Sequence, residues 1–334
     1  MVEVLLTVDV ECSMGGAWDH AEFQPVPPER AILGKIGSQN YGTPLIMDIL
    51  EEHGLRGTFF IEVLAVPVVP RSQLADAYAQ IASRGHDAQL HLHPVYDYYW
   101  QFQQGKIRRD QLPANMDLIG ALPPQRQAEL LRQGTEIFRE FVGKTPVAFR
   151  AGSFGASAST IRTLVELGFA YDSSFNASYL SRSCLMRESR PTNVPWREGP
   201  LWEVPITNFE TGSWGMRGLK PLDVGAVSLM EMRRVLDEAE RTRLGTVVFL
   251  MHSFTLFKRT DVQFRQLRPD RLVIRRFRAL CKFLQENSRR FRVTTFSQEP
   301  NLANAAQDIP FPNLGSIVPF CRKVVQGVNR AYWI

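Results

Sequence analysis

Two kinds of apolar patterning alternate along the chain. Short, nearly continuous apolar runs occupy 2–8, 56–62, 88–92, 146–150, 201–206, 246–251 and 291–296. Between them, 43–53, 71–84, 124–142, 157–167, 227–243 and 269–288 repeat their apolar positions at three- and four-residue spacing. The first kind predicts buried strands and the second amphipathic helices. Pro44 after Thr43 opens the first helix, and Gly54, Gly85 and Gly168 follow the ends of three of them, as helix punctuation requires. Strand followed by helix, repeated, predicts an α/β fold with a mostly parallel sheet or barrel.

Several strands end in polar residues that could carry chemistry. The first run, Val4 to Val8, leads into Asp9 and Glu11, two carboxylates at i and i+2 and therefore on one face. The third is followed by a dense histidine segment. His86, His91 and His93 fall within eight positions, and there are only six histidines in the chain. On an extended segment His91 and His93 share a face while Leu90 and Leu92 take the other. Two imidazoles and a carboxylate with an open position make a catalytic zinc-type ligand set. The other strand-end polar residues are Arg150, Asp172 and His252.

Composition narrows the setting. A chain of 334 residues, 44% of them hydrophobic, can bury one large core, and nothing in its length demands two domains. The cysteines, Cys12, Cys184, Cys281 and Cys321, lack close spacing, which favours free thiols in a reducing compartment over a disulfide framework. No signal peptide is recognisable before Asp9, and no uncharged run is long enough to span a bilayer. The expectation is a cytoplasmic protein. Its net charge of +5 is concentrated between Arg268 and Arg292, where arginines alternate with Leu272, Ile274, Phe277, Leu280, Cys281 and Leu284 as on the solvated face of a helix. A phosphate-rich partner is compatible with this surplus. Nucleic acid is not expected, because no recognition motif is present.

Long connections leave the ligand-bearing strands. Residues 12–42 contain Trp18, residues 94–122 contain Tyr96, Tyr98, Tyr99, Trp100 and Phe102, and 173–200 and 208–225 add Tyr179, Trp196, Phe209 and Trp214. Loops of this length in a compact domain tend to serve function. Aromatic faces suit sugar rings, so Trp18, Tyr98, Trp100 and Trp214 are candidate substrate contacts, with packing of the loops as the alternative for each.

Taken in order, these features resemble the five motifs of the NodB-homology polysaccharide deacetylases, carbohydrate esterase family four. Thr7 to Glu11 is similar to the first motif in a variant with one residue between the carboxylates, and Gly85 to Pro94 to the second. Phe149 to Ser153 resembles the third, Tyr171 to Phe175 the fourth, and Val247 to His252 the fifth. The resemblance covers residues 1 to about 298. It implies a distorted (β/α) barrel of about seven parallel strands, with the site at the carboxyl-terminal face. By the same resemblance Asp9 is the general base, and Glu11, His91 and His93 hold one divalent ion. Zinc is first choice, with cobalt, nickel or manganese as alternatives. Arg150 pairs with Asp9, Asp172 orients His252 as general acid, and the Ser153 N–H completes an oxyanion hole.

The pattern departs from the family in places. One residue, not three, separates His91 from His93, which leaves His86 as a rival ligand; Cys12 beside Glu11 is a further candidate, or a buried filler; and Ala151 and Gly152 follow Arg150 where a proline is customary. The expected activity is removal of an N-acetyl group from an acetamido sugar on a nucleotide or polyprenyl-diphosphate carrier, in surface polysaccharide or lipopolysaccharide biosynthesis. The alternatives are a same-fold amidohydrolase of cyclic ureides or imides and a catalytically silent carbohydrate-binding protein. Residues 1–300 are assigned to the barrel and 301–334 to an extension. In the extension, Ile317 to Val328 recur at helical spacing beside Arg322, Lys323 and Arg330, fit for a membrane surface or for docking on the domain or a second subunit of a homo-oligomer.

Overall fold

A computed structural model describes residues 1–180, 182–186, 191–213, 216–302 and 309–314. Nine strands form its main sheet: β1 (Val2–Val10), β2 (Thr58–Glu62), β3 (Asp87–Leu92), β4 (Ala148–Ala151), β5 (Tyr171–Asp172), β6 (Trp196–Glu198), β7 (Leu201–Glu203), β8 (Thr246–His252) and β9 (Phe291–Thr294). The order is β8-β1-β2-β3-β4-β5-β7-β6, and every pairing is parallel except β6 with β7. β1 is central. Glu3 to Asp9 pair with β8 on one edge, while the other edge is divided between β9 at Val2 to Leu5 and β2 at Thr7 to Val10.

The sheet curls until its ends approach. Val248 N–H donates to Thr207 Oγ1 at 2.9 Å, Val224 N–H to Leu250 O at 3.0 Å, and Leu250 N–H to Leu222 O at 3.0 Å, so the chain beyond β7 bridges to β8. The result is the expected distorted barrel of curled, mostly parallel strands.

Two apolar layers explain why the strands read as unbroken runs. Leu5, Phe60, Ala148, Tyr171, Val204, Val248 and Leu250 pack together inside the curl. Their neighbours Val4, Leu6, Phe59, Ile61, Phe149, Val247 and Phe249 belong to the outer core. There they meet helices including Thr43–Glu52, Arg71–Ser83, Pro124–Val142, Leu229–Thr242 and Arg271–Glu286. Alternation along the strands thus points Thr7, Asp9, His91, Arg150 and His252 inward.

The 94–122 connection differs from expectation, because Val95–Gln103 is a helix started by Pro94. Its near-continuous aromatics obscure any helical period, yet Val95, Tyr98 and Tyr99 fall on one buried face. The 208–225 connection carries an antiparallel hairpin, Asn208–Ser213 with Met216–Pro221. In the basic helix Arg271–Glu286 the apolar stripe is buried, and Asp270 caps it by accepting from Val273 N–H. Arg278 pairs with Glu52, Arg290 with Asp237 and Glu240, and Arg292 with Glu3, so part of the cationic surplus is neutralised locally. Cys12, Cys184 and Cys281 are buried free thiols. Cys321 and the amphipathic stretch at 317–330 lie outside the described residues.

Candidate active site

The carboxyl ends of β1, β3, β4 and β8 converge on one cluster. Ligand atoms of Glu11, His91 and His93 lie within 4.8 Å of one another. Glu11 Oε2 is 2.6 Å from His93 Nε2 and 3.3 Å from His91 Nε2. Each ring is fixed from its far side. His91 Nδ1 donates to Arg150 O at 2.7 Å, and His93 Nδ1 donates to Asp117 at 2.9 Å. With both Nδ1 positions engaged, both Nε2 lone pairs converge beside the Glu11 carboxylate, the arrangement that orients imidazoles on a metal.

The electrostatics agree. Burial opposes a charge on His93, but the Asp117 and Glu11 carboxylates outweigh it and push the imidazole well above its usual range. Glu11 is likewise held well below the usual carboxylate range, because His93 and hydrogen bonds from both histidines overcome burial. A negative field that holds a proton on His93 also favours a divalent cation in its place, so metal uptake would release a proton. One carboxylate and two oriented imidazoles therefore fit a divalent ion.

The one-residue spacing of the histidines works because His93 lies just beyond β3, where the chain turns. An added Cβ at Gly152 would sit 2.6 Å from His93 Nδ1 and 2.7 Å from two ring carbons. The glycine that follows Ala151 is thus what lets the imidazole rest on the β4 exit. Next to it, Ser153 and Phe154 both have left-handed backbones, φ 53° and 58°, a strained pair at the rim. Ser153 Oγ donates to Asp117 Oδ2 at 3.2 Å.

Asp9 and Arg150 form a buried pair beneath the cluster. Arg150 Nη1 donates to Asp9 Oδ1 at 2.6 Å and to Thr7 Oγ1 at 3.0 Å. Its Nε and Nη2 donate to Ser173 O and Oγ, and its guanidinium lies 4.2 Å from the Phe60 ring centroid. The guanidinium is therefore locked in place. His252 is the β8 partner of Asp9, half-buried, and stacked on Phe254 at 5.0 Å.

Asp172 does not orient His252. Tyr171 belongs to the interior cluster, so strand alternation turns Asp172 to the opposite face. There it accepts from Ser174 Oγ at 2.6 Å and meets Glu203, its register partner on β7. Burial pushes both carboxyls up, Glu203 further because Asp172 adds its negative charge. Ser174 Oγ also accepts from Ala151 N–H at 2.9 Å, so Asp172 braces the β4 exit from behind.

His86 is excluded from the cluster by its position before β3, at the opposite end of the strand. Its Nδ1 accepts from Gly57 N–H at 3.3 Å and its Nε2 donates to Glu51 at 3.1 Å. Burial lowers its pKa to about 4, which makes it a neutral structural histidine. Cys12 is buried and its thiol is pushed up by burial and by Glu62 and Glu11, the environment of a filler.

Two functional neighbours have no motif. Asp117, in the long connection after the Val95–Gln103 helix, holds His93 and Ser153. Glu62 ends β2 and accepts from Leu64, Ala65 and His93 N–H groups at 2.7, 2.8 and 3.4 Å. Burial raises Glu62 to about 7 despite the nearby His93. A polar residue closing an otherwise apolar strand was the available signal for Glu62; Asp117 had none.

The aromatic candidates separate. Trp18 is half-buried, edge-on to Tyr99 at 5.1 Å and 5.5 Å from Phe102. Trp100 is half-buried under Lys106 at 4.2 Å. Tyr98, expected on the rim, is instead buried on the packed face of its helix. Trp214 lies outside the described residues.

Fold and site together define a distorted α/β barrel whose carboxyl-terminal rim carries a His-His-Glu set able to hold a divalent metal. Solved structures of this class superpose on the chain. A candidate polysaccharide deacetylase from Mycobacterium smegmatis superposes with TM-score 0.55 and 18% identity, over 92% of this chain and 94% of the other. Puue allantoinase superposes with TM-score 0.50 and 11% identity, over 89% and 88%. A family 4 carbohydrate esterase from Streptomyces lividans, in complex with acetate, gives 0.44 and 13%, over 91% and 98%. No family model matches the sequence, and no curated protein matches it. Across most of its length the chain therefore has the polysaccharide deacetylase fold.

Proposed function

We propose that the protein is a metal-dependent hydrolase that removes the N-acetyl group of an acetamido sugar. The observation that carries this reading is the pair of histidines tied back through Nδ1, with Nε2 atoms converging on Glu11 directly above the buried Asp9–Arg150 pair. Zinc or a similar divalent ion held by Glu11, His91 and His93 would polarise the amide carbonyl and acidify water. Asp9 takes the proton from the attacking water. Arg150 holds Asp9 in place through its 2.6 Å hydrogen bond. His252 gives a proton to the departing amine, since a neutral amide needs a base on one side and an acid on the other. The backbone N–H of Ser153, on a left-handed turn at the β4 exit, is assigned as the oxyanion donor.

The substrate is proposed to be a sugar on a nucleotide or lipid-diphosphate carrier, an intermediate of surface polysaccharide synthesis in the cytoplasm. Among the described residues, no helix is long and apolar enough to cross a membrane. Hydrolysis of a cyclic ureide is a second reading, supported by the superposition on an allantoinase at TM-score 0.50. Metal analysis of wild type beside His93→Ala, followed by acetate release from acetamido sugars and ring opening of hydantoin-type ureides, tests both. About one ion in wild type and far less in the variant, with acetate released, is expected. An ion with ring opening alone would favour the second reading, and absence of any ion after incubation with zinc would overturn both.

A further inference from the structure

Beyond His252 the rim carries an arginine whose side chain has no ion pair among the described residues. The Arg259 side chain has no hydrogen bond or ion pair among the described residues. Its guanidinium is held by two rings, 5.0 Å from the centroid of Phe254 and 4.4 Å from that of Phe264. Phe254 in turn stacks on His252. A guanidinium clamped by aromatic faces keeps its N–H edge free and pre-aimed, which suits a planar or tetrahedral oxyanion.

Phe264 connects this arginine to an open cleft of about 570 Å³. Arg30, Lys35, Arg265 and Arg268 line the cleft, and Glu29 is its one carboxylate lining residue. Glu29 is already paired with Lys35 at 2.6 Å. The Arg265 backbone N–H donates to Asp261 Oδ2 at 3.1 Å, while its guanidinium makes no ion pair among the described residues and lies 5.2 Å from the Phe23 ring centroid. The wall is built, not incidental: Arg30 Nη1 donates to Gln263 O at 2.7 Å, and Gln263 Nε2 donates to Gly15 O and Gln24 O, which fastens the 12–26 loop to the 260–266 loop. The stack of Phe254, Arg259 and Phe264 thus links His252 to the surface of the arginine-lined cleft.

We propose that this surface binds the diphosphate of the substrate's carrier, with Arg259 and Arg265 as the anion-reading residues. The proposal rests on the acetamido-sugar reading for what the anion is attached to, but the anion site itself stands on the cleft alone. Two charge-assisted contacts to a diphosphate would place the attached sugar toward His252 and the Glu11, His91 and His93 cluster.

The test is calorimetric titration of the intact protein with inorganic pyrophosphate, UDP and farnesyl diphosphate, for wild type, Arg259→Gln, the double variant Arg259→Gln/Arg265→Gln, and His93→Ala. Wild type should bind at least one of the three, more weakly as salt rises. Arg259→Gln should weaken binding about tenfold and the double variant further, while His93→Ala retains it. UDP above the others identifies a nucleotide carrier, farnesyl diphosphate above the others a lipid carrier, and equal binding a site that reads the diphosphate alone. Each of these supports the site. Wild-type affinity in the double variant, or loss only in His93→Ala, would overturn it, because the anion would then sit on the metal. Failure of acetate release with intact Arg259-dependent binding would overturn the deacetylase reading and leave the anion site standing.

Discussion

Asp117 Oδ2 lies 2.9 Å from Nδ1 of His93, on the side of the ring away from Glu11. A carboxylate behind a metal-binding imidazole fixes its tautomer and raises its basicity, and losing such a partner weakens metal binding about 10- to 100-fold. Asp117→Asn is expected to lower zinc affinity in that range in competition with a chromogenic chelator, with little change in fold. Unchanged affinity would remove Asp117 from the metal centre.

Gly152 provides the complementary steric test. Because a Cβ there would press on three atoms of the His93 ring at 2.6 to 2.7 Å, Gly152→Ala must displace the imidazole or the β4 exit. Metal content of Gly152→Ala should fall toward that of His93→Ala while the far-ultraviolet circular dichroism stays that of wild type. Full metal content would show that the ring has room to move without losing its ligand position.

The Asp9–Arg150 pair separates catalysis from stability. Asp9→Asn keeps a hydrogen-bond acceptor for Arg150 and should retain the metal while lowering turnover by about 100- to 10,000-fold, the scale of general-base loss. Both variants take the counter-charge from a fully buried guanidinium, a loss that costs up to about 3–5 kcal/mol in comparable buried pairs, and Asp9→Ala removes the acceptor as well. Urea midpoints should therefore rank wild type above Asp9→Asn and place Asp9→Ala far below. Equal midpoints for the two variants would mean that Thr7 and Ser173 suffice to hold Arg150.

Much of this was legible because parallel strands buried on both faces are short apolar runs, and a polar residue at their carboxyl end has few structural reasons to be there. Asp9, Glu11, His91, Arg150 and His252 stand out on that ground, and the structure gathers them on one rim. The face of Asp172 was not legible, because β5 is only two residues long and offers no alternation to read. Asp117 sits in the aperiodic connection after the Val95–Gln103 helix, whose only other acidic residue is Asp110, and only the folded course of the chain brings it to His93. The aromatic string at 96–102 hid a helix, since rings at nearly every position mask a period of 3.6.

The Asp172 and Glu203 carboxyls give a prediction with a definite sign. Glu203 Oε1 accepts from Phe175 N–H at 2.8 Å and Asp172 Oδ1 from Ser174, but no N–H or hydroxyl reaches Glu203 Oε2 or Asp172 Oδ2. One proton shared between those two oxygens satisfies both, and burial pushes both groups up, Glu203 further beside the Asp172 charge. In the unfolded chain they titrate near 3.8 and 4.5. Above about 4.5 the native state consequently holds a proton that the unfolded state has lost, and stability falls as pH rises, by about 1.4 kcal/mol per unit for one proton. Glu203→Gln replaces the shared proton with an amide N–H that does not titrate. The variant should lose this slope, so the difference in urea unfolding free energy between it and wild type should move in its favour from pH 5 to pH 7.5. Parallel pH curves would mean that the pair ionises fully in the native protein, and Asp172 would then need another partner to remain where it braces the β4 exit.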